Sequence, residues 1–421
     1  MPRRRLLFAA LLLAPWPAAA QMSAPPVSTF AVAPSLSPEA ALDRFYTGRS
    51  APLWLEGGQL SAAGRLLLAR LRTADHEGVA QGPALAARID AALAAPAANP
   101  LAADRLLSAG WIALAEALNG PIAGTRYVDS ALRPGVATAD RILFLAAQAP
   151  DLAAHVGASM RKSRLYDELR AALIADAGAR GGQADPRLVA NLQRAKVLPS
   201  GGRYLFVNPA TAQLMMVDNG EVVDRMRVVV GTRATPTAPM VSTVSFAILN
   251  PYWNVAEDLV RKIVAPHVVS QGVAYLKRAN YEAVDKYGAD AAIIPASSIN
   301  WKAIVAGTEA VKLRQLPGKF NSMGRVKFPF PNDYGIFLHD TPNKPQFAKD
   351  ARATSIGCIR LEDAARLSRW LFGQDPVAVG STGDQTMRLP VAVPIYIAYI
   401  TAQPAAGTVT WAKDVYAIDP A

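Results

Sequence analysis

The chain holds one cysteine, Cys358, and four histidines, of which His339 stands nineteen residues before it. The two occur in Ile336-Phe-Leu-His-Asp-Thr-Pro342 and Ser355-Ile-Gly-Cys-Ile-Arg360. A thiolate is a strong nucleophile, and a neighbouring imidazole lowers the thiol pKa and takes its proton. Gly357 allows close backbone approach, so its N–H and that of Cys358 can point at a developing oxyanion. Arg360 supplies a fixed cation for that oxyanion or for a substrate carboxylate. Ser355 either supports the thiolate or makes a turn. On residue type alone, a lone Cys also fits an inert core position. His76, His155 and His267 stand apart and read as surface or packing residues.

These groups need a rigid frame. Ile336–Leu338 is an apolar run suited to a strand, which would present His339 at its end. Further β-rich runs are Tyr204–Asn208, Gln213–Val217, Arg227–Val230 and Val241–Leu249, and strand texture returns at 313–340 and 391–401. Asp218-Asn-Gly220 is a strong hairpin signal, because both turn positions must tolerate positive φ. Upstream the chain is Ala/Leu-rich with helical spacing. Ser37-Pro38 reads as an N-cap followed by proline at the first helical position. Further helices are expected after Leu60-Ser61, over 100–118 and over 166–177. The expected fold class is α+β: an all-α domain at 37–198, then a mainly β domain at 199–421 with a largely helical insertion at about 255–312.

Length and composition narrow the function. The 421 residues allow two to three domains. At 51% hydrophobic and 18% charged residues the chain is not disordered, and one cysteine rules out a disulfide scaffold. Arg3-Arg-Arg5, the apolar run Leu6–Ala14 and Ala18-Ala-Ala20 read as a secretory leader, with an apolar run too short to span a bilayer. A Pro/Ser/Ala-rich tether at 21–36 follows. The mature chain is therefore expected to be soluble, exported to the periplasm and without a transmembrane span. Its net charge of +11 could suit nucleic acid, but export and the absence of a binding motif argue against that partner. A metal hydrolase needs about three converging ligands, which one Cys and scattered His do not supply.

The string His339…Ser355-x-Gly357-Cys358-x-Arg360 resembles the L,D-transpeptidase family with its YkuD-type catalytic domain. Asn250-Pro-Tyr-Trp-Asn-Val255, Leu313–Gly318, Asn321–Gly324, Lys327–Asn332 and Val393–Tyr399 are similar to the larger periplasmic branch. Tyr46, Pro52–Trp54 and the helix after Ser61 resemble that branch's helical scaffold domain. Ile356 stands where the commoner motif has His. Residues 120–200 are too short for the small peptidoglycan-binding module usual in the branch.

The resemblance implies Cys358 as nucleophile and His339 as general base, oriented by a backbone carbonyl, so Asp340 reads as structural. It implies a capping subdomain for the insertion, with no cofactor and no metal. Trp253 and Tyr252 would wall the substrate stem or pack a β core. Asn321 and Gly324 would touch substrate or shape a loop beside the cleft. Arg314 belongs to a basic run, with Lys312, Lys319, Arg325 and Lys327, that either faces solvent or attracts a polyanion. The implied substrates are peptidoglycan stem peptides, with carbapenem-type β-lactams as covalent inhibitors. The expected product is a third-to-third cross-link between diaminopimelate residues. First-to-third cross-linking, L,D-carboxypeptidase hydrolysis and a non-catalytic wall-binding role stand as alternatives.

Overall fold

A computed structural model describes residues 36–95, 99, 101–135, 137–288, 290–376, 383–405 and 408–421. The expected leader and tether lie outside these residues, apart from Leu36. Helices fill the amino-terminal part and strands the rest, so the α+β order holds. Ser37 accepts the Ala40 N–H at 3.2 Å and caps Pro38–Tyr46. Ser61 accepts the Gly64 N–H and caps Ala62–Leu71 in the same way. Among the described residues no helix is long and apolar enough to cross a membrane.

The strand-rich part is organised by a sheet that closes on itself. Among the described residues eight strands form the circuit, in the order Val326–Pro329, Phe337–His339, Ile359–Leu361, Glu221–Gly231, Gln213–Asp218, Tyr204–Asn208, Gln385–Ile397 and Met240–Leu249. Val326–Pro329 then pairs back onto Met240–Leu249. The hairpin at Asn219-Gly220 has φ of 51° and 84°, the conformation its sequence calls for.

Alternation along each strand divides the side chains between two cores. Leu205 and Val207 point into the closed sheet with Leu214, Val228, Leu338 and Ile359. Tyr204 and Phe206 point outward and join the apolar core of the helices. The helical part is therefore packed against the sheet. It also lends a strand, Arg126–Tyr127, to the edge of Met240–Leu249. Leu36–Ala421 forms one compact unit.

The insertion has its own core, built from Val255, Val260, Val264, Val268, Trp301, Ile304 and Leu313 among others. It is less helical than expected. Short helices such as Ala265–Gln271 and Trp301–Ala306 lie with an antiparallel sheet ordered Ile293–Ile294, Tyr281–Val284, Lys312–Gln315 and Trp253–Val255. Strands of two to four residues show too little alternation to be read from sequence.

Candidate active site

Two short parallel strands position the chemistry. Leu338 lies beside Ile359, and His339 beside Arg360. Leu338 and Ile359 are fully buried in the closed sheet. Successive side chains alternate between faces, so Phe337, His339, Cys358 and Arg360 share the other face. On the opposite side Lys327 pairs with His339. A row Lys327–His339–Arg360 thus crosses three strands and flanks the imidazole with two cations.

The turn carrying Cys358 is fixed by side-chain hydrogen bonds. Ser355 ends a strand, Ala353–Ser355, that runs parallel to Glu221–Gly231. Its Oγ donates to the Cys358 carbonyl at 2.6 Å and accepts the Gly357 N–H at 3.2 Å. Gly357 has φ of 114°, a conformation that side chains disfavour. Its N–H is held by Ser355, which corrects the expectation that it points at an oxyanion. Thr237 Oγ1 donates to the Gly357 carbonyl at 2.7 Å.

His339 is 2% exposed, and its Nδ1 lies 2.6 Å from the Asp340 carbonyl. A carbonyl oxygen can only accept, so Nδ1 carries the hydrogen and neutral His339 offers the Nε2 lone pair. Burial, aided by the Arg360 and Lys327 charges, pushes its pKa down to about 4, against the pull of the Asp340 carbonyl. Cys358 is partly exposed, yet enough protein surrounds the sulfur that burial raises its pKa. The Phe337 N–H and the Arg360 charge oppose that rise. At rest Cys358 is therefore a thiol and His339 a neutral imidazole. Sγ lies 3.6 Å from the Gly335 carbonyl, and Arg360 Nη1 donates to Gln346 Oε1 at 3.0 Å.

Cys358 borders a cleft of about 440 Å³ between the insertion and the closed sheet. Trp253, Glu257, Tyr287, Lys312 and Phe337 line it with the thiol. Among the described residues no group of three His, Cys, Asp or Glu side chains could hold a metal ion.

The other expected substrate residues serve the frame. Arg314 is 8% exposed. It pairs with Glu282, donates to the Gly288 carbonyl and lies 4.4 Å over the Tyr252 ring. It is thus held within the insertion rather than offered to the cleft, because β pairing sets Arg314 opposite Glu282. Tyr252 is not among the residues that line the cleft; its ring fills the space beside Gly383. Asn321 is fully buried. Its Nδ2 donates to the Pro251, Gln315 and Leu316 carbonyls, so it shapes a loop. Gly324, with φ of 62°, lies against the Asp340 carboxylate, which would meet an added Cβ at 2.3 Å. That carboxylate accepts the Arg325 N–H and pairs with Lys344. The roles of Thr237, Glu257 and the flanking Lys327 carry no signal in the sequence. Thr237 lies 120 residues from Gly357, and no local motif links them.

Comparison with known proteins agrees with this architecture. Residues 202–379 match the L,D-transpeptidase catalytic domain known as YkuD. Residues 40–173 match the Scaffold domain. Residues 202–379 are therefore a YkuD-type L,D-transpeptidase catalytic domain, and they follow a scaffold domain. A Haemophilus influenzae protein carrying the provisional name L,D-transpeptidase is 28% identical over 240 residues. That match covers 55% of this chain and about half (48%) of the relative. An L,D-transpeptidase from Mycobacterium smegmatis is 14% identical, with a TM-score of 0.23, over 48% of this chain and 60% of that one. A structure of an LD transpeptidase in complex with imipenem is 10% identical, with the same TM-score, over 47% and 59%.

Proposed function

We propose that this chain is an exported peptidoglycan L,D-transpeptidase with Cys358 as nucleophile and His339 as general base. The observation that carries this reading is the strand register. It sets His339 and Cys358 on one face, with a neutral imidazole anchored through Nδ1 and the thiol opening onto a cleft.

The donor is a tetrapeptide stem, cut at the amide between the L-centre of diaminopimelate and D-Ala. As Sγ attacks the carbonyl carbon, the thiol proton passes to His339 Nε2. The tetrahedral oxyanion is stabilised by the Cys358 N–H and the Arg360 charge. Imidazolium then protonates the D-Ala nitrogen, the C–N bond breaks and a thioester remains. The side-chain amine of a second diaminopimelate attacks the thioester, His339 takes its proton, and the thiol is restored as the third-to-third link forms. Glu257 and Lys312 give the cleft charges of both signs, as a zwitterionic diaminopimelate terminus requires. The insertion over the thioester limits water and so favours an amine over hydrolysis.

Carbapenem-type β-lactams would acylate the same sulfur. The leader at 1–20 supports a periplasmic location, which cell fractionation would test. The reaction is tested by intact-protein mass spectrometry after brief incubation with disaccharide-tetrapeptide and an acid quench. The mass of the disaccharide-tripeptide acyl group is expected on the wild type and absent from Cys358→Ala. An unmodified wild type, or an adduct on Cys358→Ala, would refute the assignment.

A further inference from the structure

The nucleophile turn is braced by two buried hydroxyls from distant parts of the chain. Thr237 is fully buried and Tyr416 is 6% exposed. Thr237 Oγ1 donates to the Gly357 carbonyl at 2.7 Å and accepts the Gly231 N–H at 2.9 Å. The Thr237 N–H donates to the Tyr416 hydroxyl at 3.1 Å, and that hydroxyl donates to the Gly231 carbonyl at 3.0 Å. Each hydroxyl therefore both gives and receives a bond.

The tail that brings Tyr416 is itself anchored. The Tyr416 N–H donates to Tyr399 Oη, which donates to Asp414, and the two rings stack at 4.8 Å. Asp419 accepts from Thr401 and pairs with Arg194. The Thr401 N–H donates to Asn191 at 2.7 Å. Arg194 and Asn191 belong to Pro186–Ala195, the last helix before the strands. A continuous set of bonds runs from that helix through the tail to Gly357.

This set acts on one peptide plane. A trans peptide is planar, and its C=O and N–H point to opposite sides. Holding the Gly357 oxygen therefore sets the direction of the Cys358 N–H. Gly357 has no side chain to limit rotation, so without the bond this plane would be the freest in the turn. Ser355 already fixes the Gly357 N–H and the Cys358 carbonyl. The plane between them is left to Thr237.

We infer that Thr237, held by Tyr416 of the carboxyl-terminal tail, is a positioning residue that aims the Cys358 N–H as the oxyanion donor. The inference rests on Cys358 being the nucleophile. It makes the tail part of the active-site architecture.

The test uses the full mature chain with Thr237→Val, Thr237→Ser and Tyr416→Phe, each checked for a native near-ultraviolet spectrum. Alkylation by iodoacetamide needs the thiolate but no oxyanion donor, whereas acylation by imipenem needs both. Thr237→Val should slow acylation by about thirtyfold, less than the roughly hundredfold or more for losing a donor outright because the donor is loosened rather than removed, with alkylation within about threefold of wild type. Thr237→Ser keeps the hydroxyl and should restore most of the rate, and Tyr416→Phe should fall between. Equal losses in both reactions, or no loss in acylation, would overturn the inference.

Hydrogen exchange separates this result from the reaction itself. Thr237→Val should speed exchange across 355–360 by about tenfold, as expected for one lost hydrogen bond, and Thr237→Ser should not. Unchanged exchange would overturn the inference whatever the wild type does with substrate. A wild type that alkylates but takes an acyl group from neither imipenem nor disaccharide-tetrapeptide would defeat the transferase reading, and with it an oxyanion role for Thr237.

Discussion

Acidification is a sharp probe of His339 as the proposed base. A solvated imidazole with a pKa of 6.5 is only about 3% neutral at pH 5, whereas one titrating near 4 stays about 90% neutral. Burial of His339 between Lys327 and Arg360 gives the second behaviour. The acylation rate at pH 5 should then be about nine-tenths of its neutral plateau rather than about one-thirtieth. Arg360→Gln removes one cation that pushes the imidazole down and also removes support for the thiolate. In that variant both the acid and the alkaline limbs should move to higher pH, the acid limb staying below 6.5 because burial persists. The assay is the imipenem acylation rate from pH 3 to 11 by intact mass, with near-ultraviolet circular dichroism at each pH. An acid inflection near 6.5 in the wild type, or limbs unmoved by Arg360→Gln, would refute the electrostatic account.

The same shift has a consequence for folding. The folded pKa of His339 lies below the unfolded value, so unfolded chains bind the proton first as pH falls below about 6.5. His339 should lower stability by about 3 kcal/mol between pH 7 and pH 4, and denaturant midpoints of wild type and His339→Gln would show the difference. Gly324→Ala drives a Cβ into the Asp340 carboxylate at a φ of 62°. It should destabilise by about 2 kcal/mol and lower kcat more than it changes KM, because the Asp340 carbonyl anchors His339. Ser355→Ala strands the Gly357 N–H and the Cys358 carbonyl, and should lower stability by about 2 kcal/mol on urea titration. Arg314→Met leaves Glu282 without its cation and should lower Tm with KM unchanged. A raised KM at unchanged Tm would return Arg314 to the substrate.

The parts legible in the sequence were those encoded locally. Ser37 and Ser61 cap helices through bonds to residues three positions on. Asn219-Gly220 fixes its hairpin through backbone conformation alone. The apolar run before His339 marked one strand, whereas the Ser-x-Gly-Cys-x-Arg string marked the candidate nucleophile without announcing the neighbouring strand Ile359–Leu361. Pairing between distant strands was not legible. Alternation tells which face a side chain takes but not which strand lies beside it. The flanking of His339 by Lys327, the Arg314–Glu282 pair and the return of Val326–Pro329 to Met240–Leu249 all arise from such pairings. The basic run read as one patch is divided for the same reason: Arg314 turns into the insertion, and Lys327 sits partly buried beside the base. Tyr416 reaches Thr237 across 179 residues, a contact that no residue pattern announces.

The most direct test follows product. Purified disaccharide-tetrapeptide is incubated with the mature wild type and with Cys358→Ala, and the products are separated and fragmented by mass spectrometry. A dimer made only by the wild type, with loss of D-Ala and fragments that join two diaminopimelate residues, is the expected result. Loss of D-Ala without a dimer would contradict transfer in favour of hydrolysis. A dimer formed equally by Cys358→Ala would contradict the nucleophile itself.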